Sequence, residues 1–261
     1  MTYFIYFIEI RIEGDSPSFI TCNFDANGEQ KVVVHTHASL IAGAHNLTIW
    51  DTKHGDNVLQ TAPSSCSIHL YETLMPLMIV PSGTLVLSPP KDSLNMARIY
   101  KTIRDKQITI LSINPSLLKI LLDYVELNNG KNSEVFEQIR ILWISGESLE
   151  INHLTKIKSF SSHTRIFFVF NMAETNAAIG REITENITEL AELGTLPIGR
   201  PLTGYKCLLV DENNDGQVIS SLDINQIGQI FLAGHISCIL RMMKFCHSYI
   251  SRCWSFSILF Q

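Results

Sequence analysis

ITILSINPSLLKILLDYV (108–125) joins two structural periods. Residues 108–113 are an almost unbroken apolar run, the pattern of a strand buried on both faces. Pro115 follows, and proline suits the first turn of a helix, where its missing N–H would have no partner anyway. Leu117, Leu118, Leu121, Leu122 and Val125 then recur at helical spacing. The alternation continues downstream. IRILWIS (139–145) reads as a buried strand, LEINHLTKIKSF (149–160) as a helix and RIFFVF (165–170) as another strand. Upstream, Ser93 is the expected cap of a helix carrying Met96, Ile99, Tyr100 and Ile103. Near-continuous apolar strands separated by amphipathic helices imply an α/β fold, with a parallel sheet covered by helices on both faces.

Working outward, SFITC (18–22) and KVVV (31–34) read as strands around a polar loop. A helix is expected from His37 to Ile49, with Leu40, Ile41, Ala44 and Leu47 on one face. NVLQT (57–61) is a short strand. A helix from His69 to Val80 is ended by PSG (81–83), and TLVLS (84–88) is the next strand. NNGKNS (128–133) is a surface loop. After Gly199 the character changes: YKCLLVD (205–211), a DENNDG turn and IGQIFLAG (227–234) read as strands with no helix between them.

Composition narrows the functional classes. A chain of 261 residues with 46% hydrophobic content can bury a sizeable core. A net charge of -5 supplies no basic field for nucleic acid. The six cysteines form no C-x-x-C pair, and Cys238, Cys246 and Cys253 are spaced unlike zinc ligands. A reduced, cytoplasmic setting is expected. The opening MTYFIYFIEIRIEGD lacks the basic start and apolar length of a signal peptide. Arg241, Lys244 and Arg252 interrupt the apolar residues near the end, which argues against a membrane span. Neither a nucleic acid nor a membrane is expected as a partner.

In open α/β sheets, ligands gather beyond the carboxyl ends of the strands. The loops at those positions resemble, in order, landmarks of the adenylate-forming enzymes, which include acyl-CoA synthetases, luciferase-like ligases and nonribosomal-peptide adenylation domains. CNFDANGEQKVVVHTH (22–37) is similar to the family loop YTSGSTGKPKGVVVSH, keeping Gly28, Lys31, the valine run and His37. HLYETLMPLMIVPSGTLVL (69–87) resembles SVWEIFWPLLSGATLVL, with Glu72 and Gly83 in register. ITILSINPSLLKILL resembles VTVLHFVPSLLRAFL. IRILWISGESL (139–149) resembles LRRVFCSGEAL, VFNMAE (169–174) stands where the family has VYGPTE, and LPIGRP (196–201) resembles IPIGRP. IGQIFLAG resembles IGELYIGG. The resemblance covers roughly residues 18–234 and is nearest to amino-acid-adenylating members, such as the β-alanine-activating enzymes.

The resemblance implies the large N-terminal domain of such an enzyme, present in part, followed by a small β-rich subdomain. The expected organisation is an unmatched segment at 1–17, an α/β AMP-binding subdomain at 18–198, a β-rich subdomain at 199–234 and an unmatched tail at 235–261. The implied activity is attack of a carboxylic or amino acid on the α-phosphate of ATP, with Mg²⁺, to give an acyl-adenylate. A thiol, either coenzyme A or the phosphopantetheine of a carrier protein, then takes the acyl group. Asn27, Gly28 and Lys31 would hold phosphate, with Gly146, Glu147, Phe170, Asn171 and Glu174 completing the nucleotide site. Phe170 would stack on adenine. Lys31 and Glu174 would be the catalytic pair, with Glu174 holding magnesium, and Ser67, His69 and Glu147 would contact the acid.

Several residues depart from the family pattern. Phe24, Asp25, Ala26 and Asn27 replace small and hydroxyl residues of the phosphate loop, and Asp25 brings a negative charge toward polyphosphate. Ala173 replaces a threonine. Ser67 stands where amino-acid-activating relatives carry an amine-binding aspartate, so charge-assisted recognition of an amine is lost there. On the residues alone, Lys31 also suits a solvated turn, Glu174 the opening of a loop and Ser67 a helix start. Two readings follow: a ligase weakened or incomplete in this chain, or a non-catalytic relative acting as a nucleotide- or acyl-binding or interaction module. Asp211-x-Asn213-x-Asp215-Gly216 matches half an EF-hand loop, but Leu222 stands at the twelfth position, so a hairpin turn is expected. His35-x-His37 has no evident third metal ligand.

Overall fold

The computed structural model describes residues 12–24, 30–48, 51–63, 66–88, 95–127, 134–193, 196–211, 218–219, 227–234 and 238–240. An antiparallel hairpin comes first, β1 (Pro17–Phe24) against β2 (Gln30–Thr36), with Cys22 opposite Val32 and Asn23 opposite Lys31. His35 is fully buried in it, its ring stacked on Phe19 at 4.0 Å and its Nε2 3.1 Å from Thr21 Oγ1. Burial lowers its pKa to about 4, so the imidazole is neutral at pH 7. His35 is a packed core residue.

Helix α1 (His37–Thr48) follows directly. Its start is fixed by a reciprocal pair: the Ser39 amide donates to Thr36 Oγ1 and the Thr36 amide to Ser39 Oγ, both at 3.1 Å. Then come β3 (Asn57–Gln60) and α2 (Ile68–Leu74). The helix expected to run to Val80 changes form at Met75. Pro76 has no N–H to continue the α-helical ladder, so Met75–Ile79 is a single π turn, closed by a 3.0 Å bond from the Val80 amide to the Met75 carbonyl. After β4 (Thr84–Leu87), α3 (Met96–Asp105) is capped by Asn95, whose side chain accepts from the Arg98 amide at 3.1 Å. Ser93, the cap expected from sequence, lies outside the described residues, as does the NNGKNS loop.

The remaining elements are β5 (Ile110–Ile113), α4 (Pro115–Leu127), a short α5 (Glu134–Gln138), β6 (Ile141–Ser145), α6 (Ile151–Phe160) and β7 (Arg165–Met172). They are followed by β8 (Asn176–Glu182), α7 (Ile187–Leu193) and β9 (Arg200–Pro201). One seven-stranded sheet takes the order β4-β3-β5-β6-β7-β8-β9. Pairing is parallel from β4 to β7 and antiparallel for β8 and β9, so the expected parallel sheet is a mixed one.

Successive residues on the central strands go to opposite cores, which is why those strands lack a polar face. Leu111, Leu142, Ile144, Ile166 and Phe168 pack with α3 to α6, around Ile103, Leu118, Leu122, Phe136 and Ile157. Ile110, Ile141, Trp143, Phe167 and Val169 pack on the other side, with Ala44 and Leu47 of α1 and with Tyr71 and Met75. Charged pairs gather near the amino ends of the parallel strands. The Arg140 guanidinium meets the buried Asp56 carboxylate, and Arg165 grips Glu182 through two bonds of 2.7 Å.

The expected β-rich segment is an antiparallel pair, β10 (Tyr205–Val210) and β11 (Gln229–Gly234). Tyr205 and Leu232 close a small core with Ala178 and Ile179 of β8. The short β12 (Cys238–Leu240) returns to pair with β2, from Cys238 opposite Val34 to Leu240 opposite Val32. The DENNDG turn falls largely outside the described residues, in which no helix is long and apolar enough to cross a membrane.

Candidate functional site

Two cavities of about 600 Å³ each open where the parallel strands end. The first, named the apolar lobe for its aliphatic and aromatic side chains, is lined by Leu149, Phe168, Val169, Phe170, Leu196 and Ile198, with Ser148, Glu150 and Asn152 as polar neighbours. The second is mixed, lined by Thr61, Ser67, Glu72, Ser112, Asn114 and Ser116 beside Ile113, Leu117, Ile120 and Met172. Gly146, Glu147 and Asn171 line both, so the cavities are two lobes of one cleft. Their volumes fall in the range of small-molecule sites.

Gly146 makes the turn out of β6 with φ +94, a conformation that side chains rarely adopt. A Cβ there would have no neighbour nearer than 4.0 Å, so glycine serves the backbone turn and leaves space in the cleft. Glu147 follows on this turn. Its Oε1 accepts from Asn114 Nδ2 at 3.2 Å, and its Oε2 accepts from the Ser116 amide at 3.1 Å and from the Ser116 hydroxyl. Asn114 in turn caps α4, its Oδ1 accepting from the Leu117 amide at 2.8 Å. Glu147 therefore sits at the positive end of α4, fixed but still exposed.

A second carboxylate lies at the wall of the mixed lobe. Glu72 is only 2% exposed. Its Oε2 accepts from the amides of Thr61 (2.9 Å) and Ala62 (3.0 Å), and its Oε1 from the Thr61 hydroxyl at 3.1 Å. That hydroxyl is also 2.7 Å from the Ser112 carbonyl. Desolvation outweighs these bonds and raises the Glu72 pKa to about 7. Glu72 thus pins the segment after β3 that forms the lobe's wall. Sequence register marked the residue without its task, because its partners lie ten and eleven positions away on another element.

The sequence-expected residues fall into three groups. Gly146, Glu147, Phe170 and Asn171 meet at the cleft, with Ser67 on the wall of the mixed lobe. His69 and Glu174 are not among its lining residues: His69 Nδ1 is 3.3 Å from the Ala62 carbonyl, and Glu174 is 3% exposed in the turn between β7 and β8. Asn27 and Gly28 lie outside the described residues, and for Lys31 only its backbone place in β2 is described. Thr61, Ser112, Asn114 and Ser116 were missed. Only the Asn-Pro-Ser order at the start of α4 hinted at a capping function.

Comparison with known proteins accords with this architecture. The family described as AMP-binding enzyme matches residues 27–242. Zwittermicin A synthase ZmaJ of Bacillus cereus is 25% identical over 215 residues, covering 80% of this chain and 38% of ZmaJ. PA1221, a nonribosomal peptide synthetase protein containing adenylation and PCP domains, superposes with a TM-score of 0.70 at 20% identity, over 86% of this chain and 36% of that one. The AMPPNP-bound form of the nonribosomal peptide synthetase FmoA3 gives 0.73 at 16% identity, over 88% and 24%. The chain spans well under half the length of each, and the structural likeness is one of fold. It belongs to the AMP-binding enzyme family, and its fold is that of the N-terminal part of a nonribosomal-peptide adenylation domain.

Proposed function

We propose that this chain carries the acid- and nucleotide-binding part of an adenylate-forming ligase. The carboxylate of a small acid attacks the α-phosphorus of ATP–Mg²⁺, the bond to the β-phosphate breaks, and acyl-adenylate and pyrophosphate result. The acyl group would then pass to the thiol of coenzyme A or of a carrier protein's phosphopantetheine, with AMP leaving. One observation carries the reading: two lobes of one cleft, one bearing Phe170 and the other Ser67, meet at Gly146, Glu147 and Asn171 in a member of the AMP-binding family.

In this reading the purine occupies the apolar lobe, with Phe170 offering its ring face, while the acid occupies the mixed lobe beside Ser67. Charge that develops on the α-phosphate is met at the junction between them, so catalysis rests on positioning and electrostatic stabilisation. Lys31 is the proposed counter-charge to the phosphates. Magnesium arrives with ATP as part of the substrate, and carboxylate oxygens suit it. Glu147 stands on the shared wall and Glu174 directly follows the wall residue Ala173. Ser67 in place of an acidic residue leaves the acid's amine without a charged partner at that position, which favours acids held by their apolar parts.

Acid-dependent exchange of pyrophosphate into ATP tests the catalytic step. With a panel of α-amino, β-amino, aryl and fatty acids, exchange above background is expected for at least one, and only with Mg²⁺. Background exchange with every class would overturn the ligase reading.

A further inference from the structure

Asn171 combines three properties. It lines both lobes, it follows an irregularity in the pairing of β7 with β8 between Phe170 and Asn171, and its Oδ1 is buried with no hydrogen-bond partner among the described residues. A carboxamide that served packing alone would have its oxygen tied to a donor, since buried polar atoms nearly always are. Here no described hydrogen bond fixes that end of the amide. The group carries a donor on its nitrogen and an acceptor on its oxygen, and rotation about its terminal bond exchanges them.

We propose that Asn171 is a ligand-contacting residue that donates from its amide nitrogen to a phosphoryl oxygen at the junction of the two lobes. This rests on the reading of the apolar lobe as the purine site. A ligand that fills both lobes must pass its linking group between Gly146, Glu147 and Asn171. Gly146 brings no side chain and Glu147 brings only acceptors, already engaged with Asn114 and Ser116. Asn171 is therefore the one side chain of these three that can donate to an anionic linker. The pairing slips by one residue at this position, where β8 places Ala178 between Ile179 and Ala177, the partners of Phe170 and Asn171.

The test is titration of the whole chain with AMP and with adenosine, which share the purine and differ in the phosphate. AMP should bind more tightly than adenosine. Asn171→Ala should weaken AMP about tenfold, the order of one hydrogen bond to a charged group, and leave adenosine within about twofold. Asn171→Asp keeps the size and replaces the donor with a negative charge, so it should weaken AMP further, again sparing adenosine. Unchanged AMP affinity in both variants overturns the assignment, as does a parallel fall for AMP and adenosine, which would mark a shape effect. Tighter AMP binding by Asn171→Asp would overturn it too. If the unmodified chain binds neither compound at millimolar concentration, the purine reading itself fails, an outcome distinct from the others.

Discussion

Glu72 is the residue at which the cleft and the stability of the fold are coupled. Its carboxyl holds its proton more tightly in the folded chain, near pH 7, than at its ordinary value of 4.5. The stabilisation from that proton is fully present below the unfolded pKa and is lost as pH rises through the folded one. Chemical denaturation should therefore show stability falling between about pH 5 and pH 8, by an amount on the order of 3 kcal/mol. Glu72→Gln should flatten this slope. Its amide oxygen can still accept from Thr61 and Ala62, and its NH₂ can meet Thr61 Oγ1, which itself donates to Ser112. Glu72→Ala, which leaves buried amides without an acceptor, should cost about 2–4 kcal/mol. A slope identical in unmodified chain and Glu72→Gln would show that another group dominates. Phe170 offers a second residue-scale check. Phe170→Leu keeps apolar volume and removes the ring face, so AMP affinity in a fluorescence or calorimetric titration should fall about tenfold. Equal affinity would show that the Phe170 ring does not stack on the purine.

Among the elements, period decided what could be read. The strands at 110–113, 141–145 and 165–172 are buried on both faces, so their apolar runs were unmistakable, as was the proline-initiated α4. β8, NAAIGRE, escaped because alanine and glycine give no strand period; it is a strand because β7 and β9 flank it. The π turn escaped because Pro76 lies within an otherwise good helical pattern. The cleft was half legible: the order of loops marked Gly146, Glu147 and Phe170, while the contacts of Glu72 and Ser116 depend on where distant segments meet. LPIGRP has a local cause. Gly199 has φ +106, and a Cβ there would sit 2.4 Å from the Gly180 carbonyl oxygen. Gly199→Ala should therefore lower stability by roughly 2–4 kcal/mol in urea, since both strain and a backbone clash apply. A change under about 0.5 kcal/mol would mean that β8 and β9 are not held at this spacing.

At the scale of the whole molecule, apolar side chains stand exposed on two packed elements: Ile41 (60%) on α1, and Leu77 (62%) and Met78 (70%) on the π turn. Sedimentation of the isolated chain should show association that grows with concentration and is reduced by Leu77→Lys with Met78→Lys. A strictly monomeric chain at high concentration would contradict this. Calorimetric titration with ATP–Mg²⁺ is the decisive test of the proposal that the two-lobed cleft binds a nucleotide for acid activation. Saturable 1:1 binding with a dissociation constant below about 1 mM, weakened by Phe170→Leu, is the expected result; by the arithmetic of affinity that threshold is roughly -4 kcal/mol. No saturable heat at millimolar ATP–Mg²⁺ from a folded chain would contradict the claim.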